Sequence, residues 1–173
     1  MSKKFYFFFV LLFIFNGNVN AQEKIVFIDI NHIFNTSTAG KKINKELKNK
    51  NQKINSDFKE YQNDINNQKE KLIKQKNVIS NEEYKKKLLN LEKEIKEYSL
   101  AINKKKVDLT NFKTKVRVEF TKLLQPILEN YSKENSIEMI LKKENILIGK
   151  TNLDITNTVL DLFNKDVKKI TVK

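Results

Sequence analysis

Three groupings of side chains in this sequence could do chemistry. Lys85-Lys86-Lys87 and Lys104-Lys105-Lys106 set ammonium groups in runs, and such runs attract anions with a pull that weakens as salt rises. Lys85, Lys86, Lys87, Lys104 and Lys106 are therefore the candidate contacts for an acidic polypeptide or an anionic lipid. On a helix the same runs also serve as ordinary solvated surface. Gly149-Lys150-Thr151 resembles the end of a phosphate-binding loop, but that loop needs a second glycine where Glu144 stands. A tight turn after a strand is the better reading. His32 is the only histidine, and no Cys or His stands at metal-ligand spacing from it. Cysteine is absent, which removes disulfides and thiolate chemistry. No nucleophile, base and orienting group can be named together. The chemistry on offer is binding, with no cofactor or metal assigned, and an enzyme is not expected.

The elements that position the lysines begin after an export signal. Lys3 and Lys4 precede an unbroken apolar run from Phe5 to Phe15, and a small polar stretch leads to Val19 and Ala21. This is the pattern of a signal peptide over residues 1–21, with cleavage expected before Gln22. The apolar run is shorter than the roughly 20 residues that span a bilayer.

The charge is local. The chain carries a formal +13. Residues 41–117 hold 22 basic and 11 acidic side chains, whereas residues 22–40 and 119–173 come close to balance. The same middle stretch has a heptad pattern. Leu47, Ile54, Phe58, Tyr61, Ile65, Leu72 and Ile79 form one seam, with Asn51, Gln68 and Gln75 in its gaps. Ser80-Asn81-Glu82-Glu83 then reads as a capping box that restarts a helix. A second seam follows through Tyr84, Leu88, Leu91, Ile95, Tyr98, Ile102, Leu109, Phe112 and Val116, interrupted by Lys105. Folding back about Ser80 pairs Leu72 with Leu91, Ile65 with Tyr98, Tyr61 with Ile102, Ile54 with Leu109 and Leu47 with Val116. The same register faces Phe58 with Lys105 and Asn51 with Phe112. A parallel coiled coil of separate helices is the rival arrangement.

The flanks read as a small body. Residues 25–30 are an apolar, β-branched run typical of a buried strand. His32-Ile33-Phe34 suggests a turn of helix before Thr38-Ala39-Gly40. After Val116 the apolar face widens, and Pro126 is expected to kink the helix. Residues 137–141 and 146–148 read as two more strands, and Asp154-Ile155-Thr156 offers caps to a last helix. The fold class is thus α+β. A long antiparallel helical coiled-coil hairpin, residues 41–118, projects from a small β-rich oligomerisation body made of residues 22–40 and 119–173. Three short strands bury little on their own, and their edges invite pairing with other copies.

The order of these pieces resembles the Skp/OmpH family of periplasmic chaperones. The carriers are the signal peptide, Lys24-Ile25-Val26-Phe27-Ile28-Asp29, Thr38-Ala39-Gly40-Lys41, Pro126-Ile127-Leu128, the paired strands, and Asp154-Ile155-Thr156 before Val159-Leu160. The resemblance implies a homotrimer whose helical arms enclose a cavity. It also implies holding of unfolded outer-membrane proteins without ATP, in the periplasm, and an association with lipopolysaccharide. Two other functions compete. One is a structural coiled-coil tether of the envelope. The other is a basic protein binding lipopolysaccharide or nucleic acid, although export and the lack of a base-reading motif weigh against nucleic acid.

Overall fold

A computed structural model describes residues 24–172. The signal-peptide reading of residues 1–21 lies outside the described residues. The chain runs from strand β1 (Ile25–Ile28) into a short helix α1 (Ile30–Thr36) and a long helix α2 (Thr38–Gln75). A longer helix α3 (Asn81–Glu134), strand β2 (Met139–Lys142) and helix α4 (Thr156–Asp166) follow, with 3-10 turns at Lys143–Asn145 and Thr151–Leu153.

The junction of α1 and α2 is built by one buried serine. Ser37 Oγ accepts the amide of Gly40 at 3.1 Å, while its own amide donates to Ile33 at 2.9 Å. It therefore ends one helix and starts the next. A second free amide at this helix start, on Thr38, donates to Asn164 Oδ1 of α4 at 2.8 Å. A side chain at Gly40 would place its Cβ 1.7 Å from the carbonyl oxygen of Phe34, so only glycine permits this approach.

α2 and α3 lie alongside each other, rising numbers in one meeting falling numbers in the other. Lys87 donates to Gln75 at 3.1 Å, Gln68 to Glu94 at 3.4 Å, and Lys105 to Asp57 at 3.1 Å. Ile65, Leu72 and Leu91 form a buried cluster with Tyr61, Tyr84 and Ile95 packed on it. Ser80 caps α3 through the amide of Glu83 at 3.1 Å. Glu83 does not reach back to Ser80. It pairs with Lys87 at 3.1 Å instead. Leu72 and Leu91 share one cluster, so cysteines at both positions should cross-link within a chain under mild oxidation. Leu72→Cys with Ile102→Cys should not, since eleven residues of helix advance roughly 16 Å. Cross-linking of the second pair alone would show a different register.

The second cluster is the main core. It joins Val26 and Ile28 of β1, Ile33 and Phe34 of α1, Ile43, Val116, Phe120 and Leu124 of the long helices, and Val159 and Phe163 of α4. Phe120 packs edge-on to Phe34 at 5.1 Å and against Phe163 at 5.0 Å. α3 passes through Pro126 while remaining helical. It ends in a 6→1 hydrogen bond from Ile137 to Ser132 at 3.0 Å, with Ser136 in the left-handed region at φ 51°.

β1 and β2 pair in parallel, Ile25 with Met139 through Ile28 with Lys142. On its other side β1 bridges to the segment before α4, where the amide of Ile155 donates to Phe27 at 3.0 Å. Asp154 turns the chain into α4, its Oδ1 accepting the amide of Thr156 at 3.0 Å. Burial raises the Asp154 carboxyl, but hydrogen bonds from Lys143 and Thr156 outweigh it and hold the pKa below the ordinary value. The expected third strand at residues 146–148 does not form. That stretch follows a 3-10 turn, and Leu147 and Ile148 are 98% and 90% exposed. The body of one chain is therefore mostly helical, with a two-stranded sheet among the described residues.

Candidate functional site

The lysine runs lie far apart on one helix. Lys85, Lys86 and Lys87 occupy the first turns of α3, at the end of the helix pair remote from the core. Lys104 and Lys106 stand seventeen or more residues further on, roughly 25 Å along the helix axis. All five are exposed. No compact anion pocket joins the two runs.

Their local partners differ. Lys87 is held by Glu83 and Gln75, each at 3.1 Å. Lys106 sits over the Phe58 ring with its Nζ 5.4 Å from the centroid. Lys85, Lys86 and Lys104 make no ion pair with another described residue. Lys105 was expected in the seam opposite Phe58. It leans out instead to Asp57, half exposed, so the seam holds no unpaired charge there. Exposed pairs of this kind contribute little to stability, roughly 0–1 kcal/mol.

The middle of the helix pair is aromatic. Tyr61 stacks on Tyr98 with ring centroids 3.5 Å apart, and Phe58 lies 6.4 Å from Tyr98. The sequence register placed Tyr98 opposite Ile65 and Tyr61 opposite Ile102. The long rings reach along the seam and meet each other. Both tyrosine hydroxyls are buried without a hydrogen-bond partner. Burial raises the Tyr61 pKa, with smaller contributions from Glu94, Tyr98 and Asp64. Stacking is worth roughly 0.5–1.5 kcal/mol. An unpaired buried hydroxyl costs roughly 1–3 kcal/mol. The balance makes this a weak point in the pair, alongside the polar seam residues Asn51, Gln68 and Gln75. Near the root, Lys50 lies over Phe112 at 5.2 Å, where Asn51 was expected.

Most of the apolar side chains that one chain leaves open are gathered in two places, with Ile73 and Val78 exposed apart from them near the turn between α2 and α3. On the sheet, Ile25, Met139 and Leu141 are 41%, 51% and 38% exposed and point to the face opposite the core. Leu147 and Ile148 are exposed too, in the segment that runs past the sheet face. Gly149 lies against it, where a Cβ would come 2.7 Å from the Phe27 ring. That contact, and not phosphate, accounts for the glycine of Gly149-Lys150-Thr151. The second place is α3, where Leu89, Leu100, Val107 and Val118 are exposed.

Among the described residues no group of three or more His, Cys, Asp or Glu is placed to hold a metal ion. His32 is exposed on α1. No described helix is long and apolar enough to cross a membrane.

The family model for outer membrane protein (OmpH-like) matches residues 24–163, both strands and the whole helix pair included. The chain belongs to the OmpH-like family. No curated protein matches it significantly. Among solved structures, an OmpH-like protein from Caulobacter crescentus CB15, described as a candidate outer membrane chaperone, has the same fold. Its TM-score is 0.79 at 15% identity, over 88% of this chain and 90% of that one. Identity that low with such coverage means the OmpH-like shape is carried by pattern, not by particular surface residues.

Proposed function

We propose that this OmpH-like protein is an ATP-independent holding chaperone of the periplasm. Three chains assemble through the sheet and the residues 143–155 that follow it, after removal of residues 1–21. The three α2–α3 hairpins then stand as arms around a cavity. Unfolded outer-membrane proteins are kept there from aggregating.

The observation that carries this reading is the division of exposed surface. The body leaves Ile25, Met139, Leu141, Leu147 and Ile148 open to solvent, apolar surface that a subunit interface would cover. The arms keep their seam closed and present lysines to solvent. A client held by many weak contacts is released without energy input, because no single strong contact must break. The soft tyrosine region and the polar seam residues let each arm bend around clients of different size. Anionic lipid or lipopolysaccharide is a further partner consistent with Lys85, Lys86, Lys87, Lys104 and Lys106. A tether would need a second anchor, and none of the described helices supplies one.

The direct test uses purified residues 22–173. They should suppress aggregation of a urea-unfolded outer-membrane protein on dilution, with the mass measured in parallel. Failure to suppress aggregation by an assembled trimer rejects the holding role.

A further inference from the structure

The exposed apolar residues of α3 are not scattered. Leu89, Leu100, Val107 and Val118 follow one another at eleven, seven and eleven residues. At about 3.6 residues per turn, those intervals keep all four within a narrow line along the helix. The buried seam of α3, through Leu91, Ile102, Leu109 and Val116, lies on the other side. So α3 carries two apolar lines. One is closed against α2. The other is open, with its members 64%, 62%, 57% and 49% exposed.

The spacing of the open line decides what fits it. A packed helix from a second copy needs apolar side chains every three or four residues. A membrane surface needs a broad continuous apolar face. Here the apolar points stand roughly 10–16 Å apart along the helix, and polar residues fill the gaps. Between Leu89 and Leu100 stand Lys93 and Lys96 along with Glu92, Glu94 and Glu97, and Lys104, Lys105 and Lys106 lie between Leu100 and Val107. Lys96 and Lys104 make no ion pair with another described residue, and Lys93 has only a loose one to Glu97 at 3.9 Å. The line offers separate apolar footholds in a stretch that, from Leu89 to Val107, holds five lysines against three glutamates. That complements a flexible, acidic chain whose apolar residues are also separated.

We propose that Leu89, Leu100, Val107 and Val118 form the apolar contact line for an unfolded acidic polypeptide. This rests on the holding role proposed above and deepens it, since it orients each arm with this face toward the enclosed chain. The lysines draw the client in from a distance, and the leucines and valines supply the contact that survives salt.

The test replaces Leu89, Leu100 and Val107 with Gln in the full mature chain. Gln keeps helix propensity close to that of Leu and above that of Val, and the positions are exposed, so folding and assembled mass should be unchanged. Holding of a urea-unfolded acidic β-barrel protein should weaken by roughly tenfold or more. The binding that persists in ~1 M salt, where the Debye length is about 3 Å, should largely disappear. The pair Ile73→Gln and Val78→Gln, equally exposed but off the line, should stay within about twofold of the parent. A photo-crosslinker at position 100 should capture the client, and one at Asn63 should not. Equal holding by the triple variant at both salts overturns the contact line while leaving the holding role intact. Loss of the assembled mass in the triple variant also overturns it, by making the line a subunit interface. A parent protein that assembles and holds no client rejects the holding role, and the contact line with it.

Discussion

Replacing Leu147 and Ile148 with Asp should turn the assembled protein into monomers. The two side chains are almost wholly exposed in one chain, at 98% and 90%. Each would contribute roughly 1.5–3 kcal/mol if another copy buried it. Aspartate removes that gain and adds a charge that must lose its water at the interface. Repeated at every contact of a trimer, the loss is far larger than micromolar assembly tolerates. Light scattering should give about three times the chain mass for the parent and one chain mass for the variant. The helix content should stay the same, because neither residue touches the core cluster. A parent protein that is monomeric at micromolar concentration would reject the trimer and favour a tether. In the complementary deletion, joining the chain across residues 45–115 should leave a folded, trimeric body.

Changing Lys85, Lys86, Lys87, Lys104, Lys105 and Lys106 to Gln should strongly weaken capture of an acidic unfolded client at low salt. The change removes six positive charges from each arm, and Gln keeps a helix propensity near that of Lys. Five of the six are free to act at a distance or hold only surface contacts. Lys105 differs, since losing it strands Asp57 without its 3.1 Å partner, though on an exposed surface the cost is small. Binding by the parent should fall as salt rises from ~0.1 M to ~1 M, the screening length shrinking from about 10 Å to about 3 Å. The six-fold variant should show a flatter response that converges on the parent at high salt. Equal capture at low salt would mean that the basic surplus is background and that holding depends on shape and apolar contact.

Much of the architecture was legible because local rules and tertiary packing agree. The two heptad seams marked the helix pair, and Ser80 marked its turn by a side chain suited to capping. Departures occur where one signal has two physical causes. An Ile-Leu-Ile run at residues 146–148 has the composition of a buried strand, yet its own chain leaves Leu147 and Ile148 exposed. Gly40 lies inside α2, where the Phe34 carbonyl comes too close for a Cβ, and the Ser37 cap opens the helix ahead of it. The helix therefore starts at Thr38, three residues before the pattern suggested. Aromatic length explains Tyr61 on Tyr98, a diagonal contact that a position-by-position register cannot foresee. The candidate lysines were visible as runs, but their separation along α3 appears only in three dimensions. The open line through Leu89, Leu100, Val107 and Val118 is sparse, its members seven and eleven residues apart with polar residues between, so it does not stand out in the sequence.

The parallel pairing of β1 with β2 has a consequence for how the chain folds. These strands are joined through the whole helix pair, since parallel strands need a long crossover. β1 precedes its partner by more than a hundred residues of chain. Closing so long a loop from a disordered chain is entropically costly and slow. The helix pair shortens that search. Its contacts are local, it turns at Ser80, and once zipped it returns the chain to Val116 beside Ile43, within reach of β1. The helix pair therefore acts as a folding template for the sheet. Substitutions that loosen its seam slow the formation of the sheet at its far end, although they touch none of the sheet's residues.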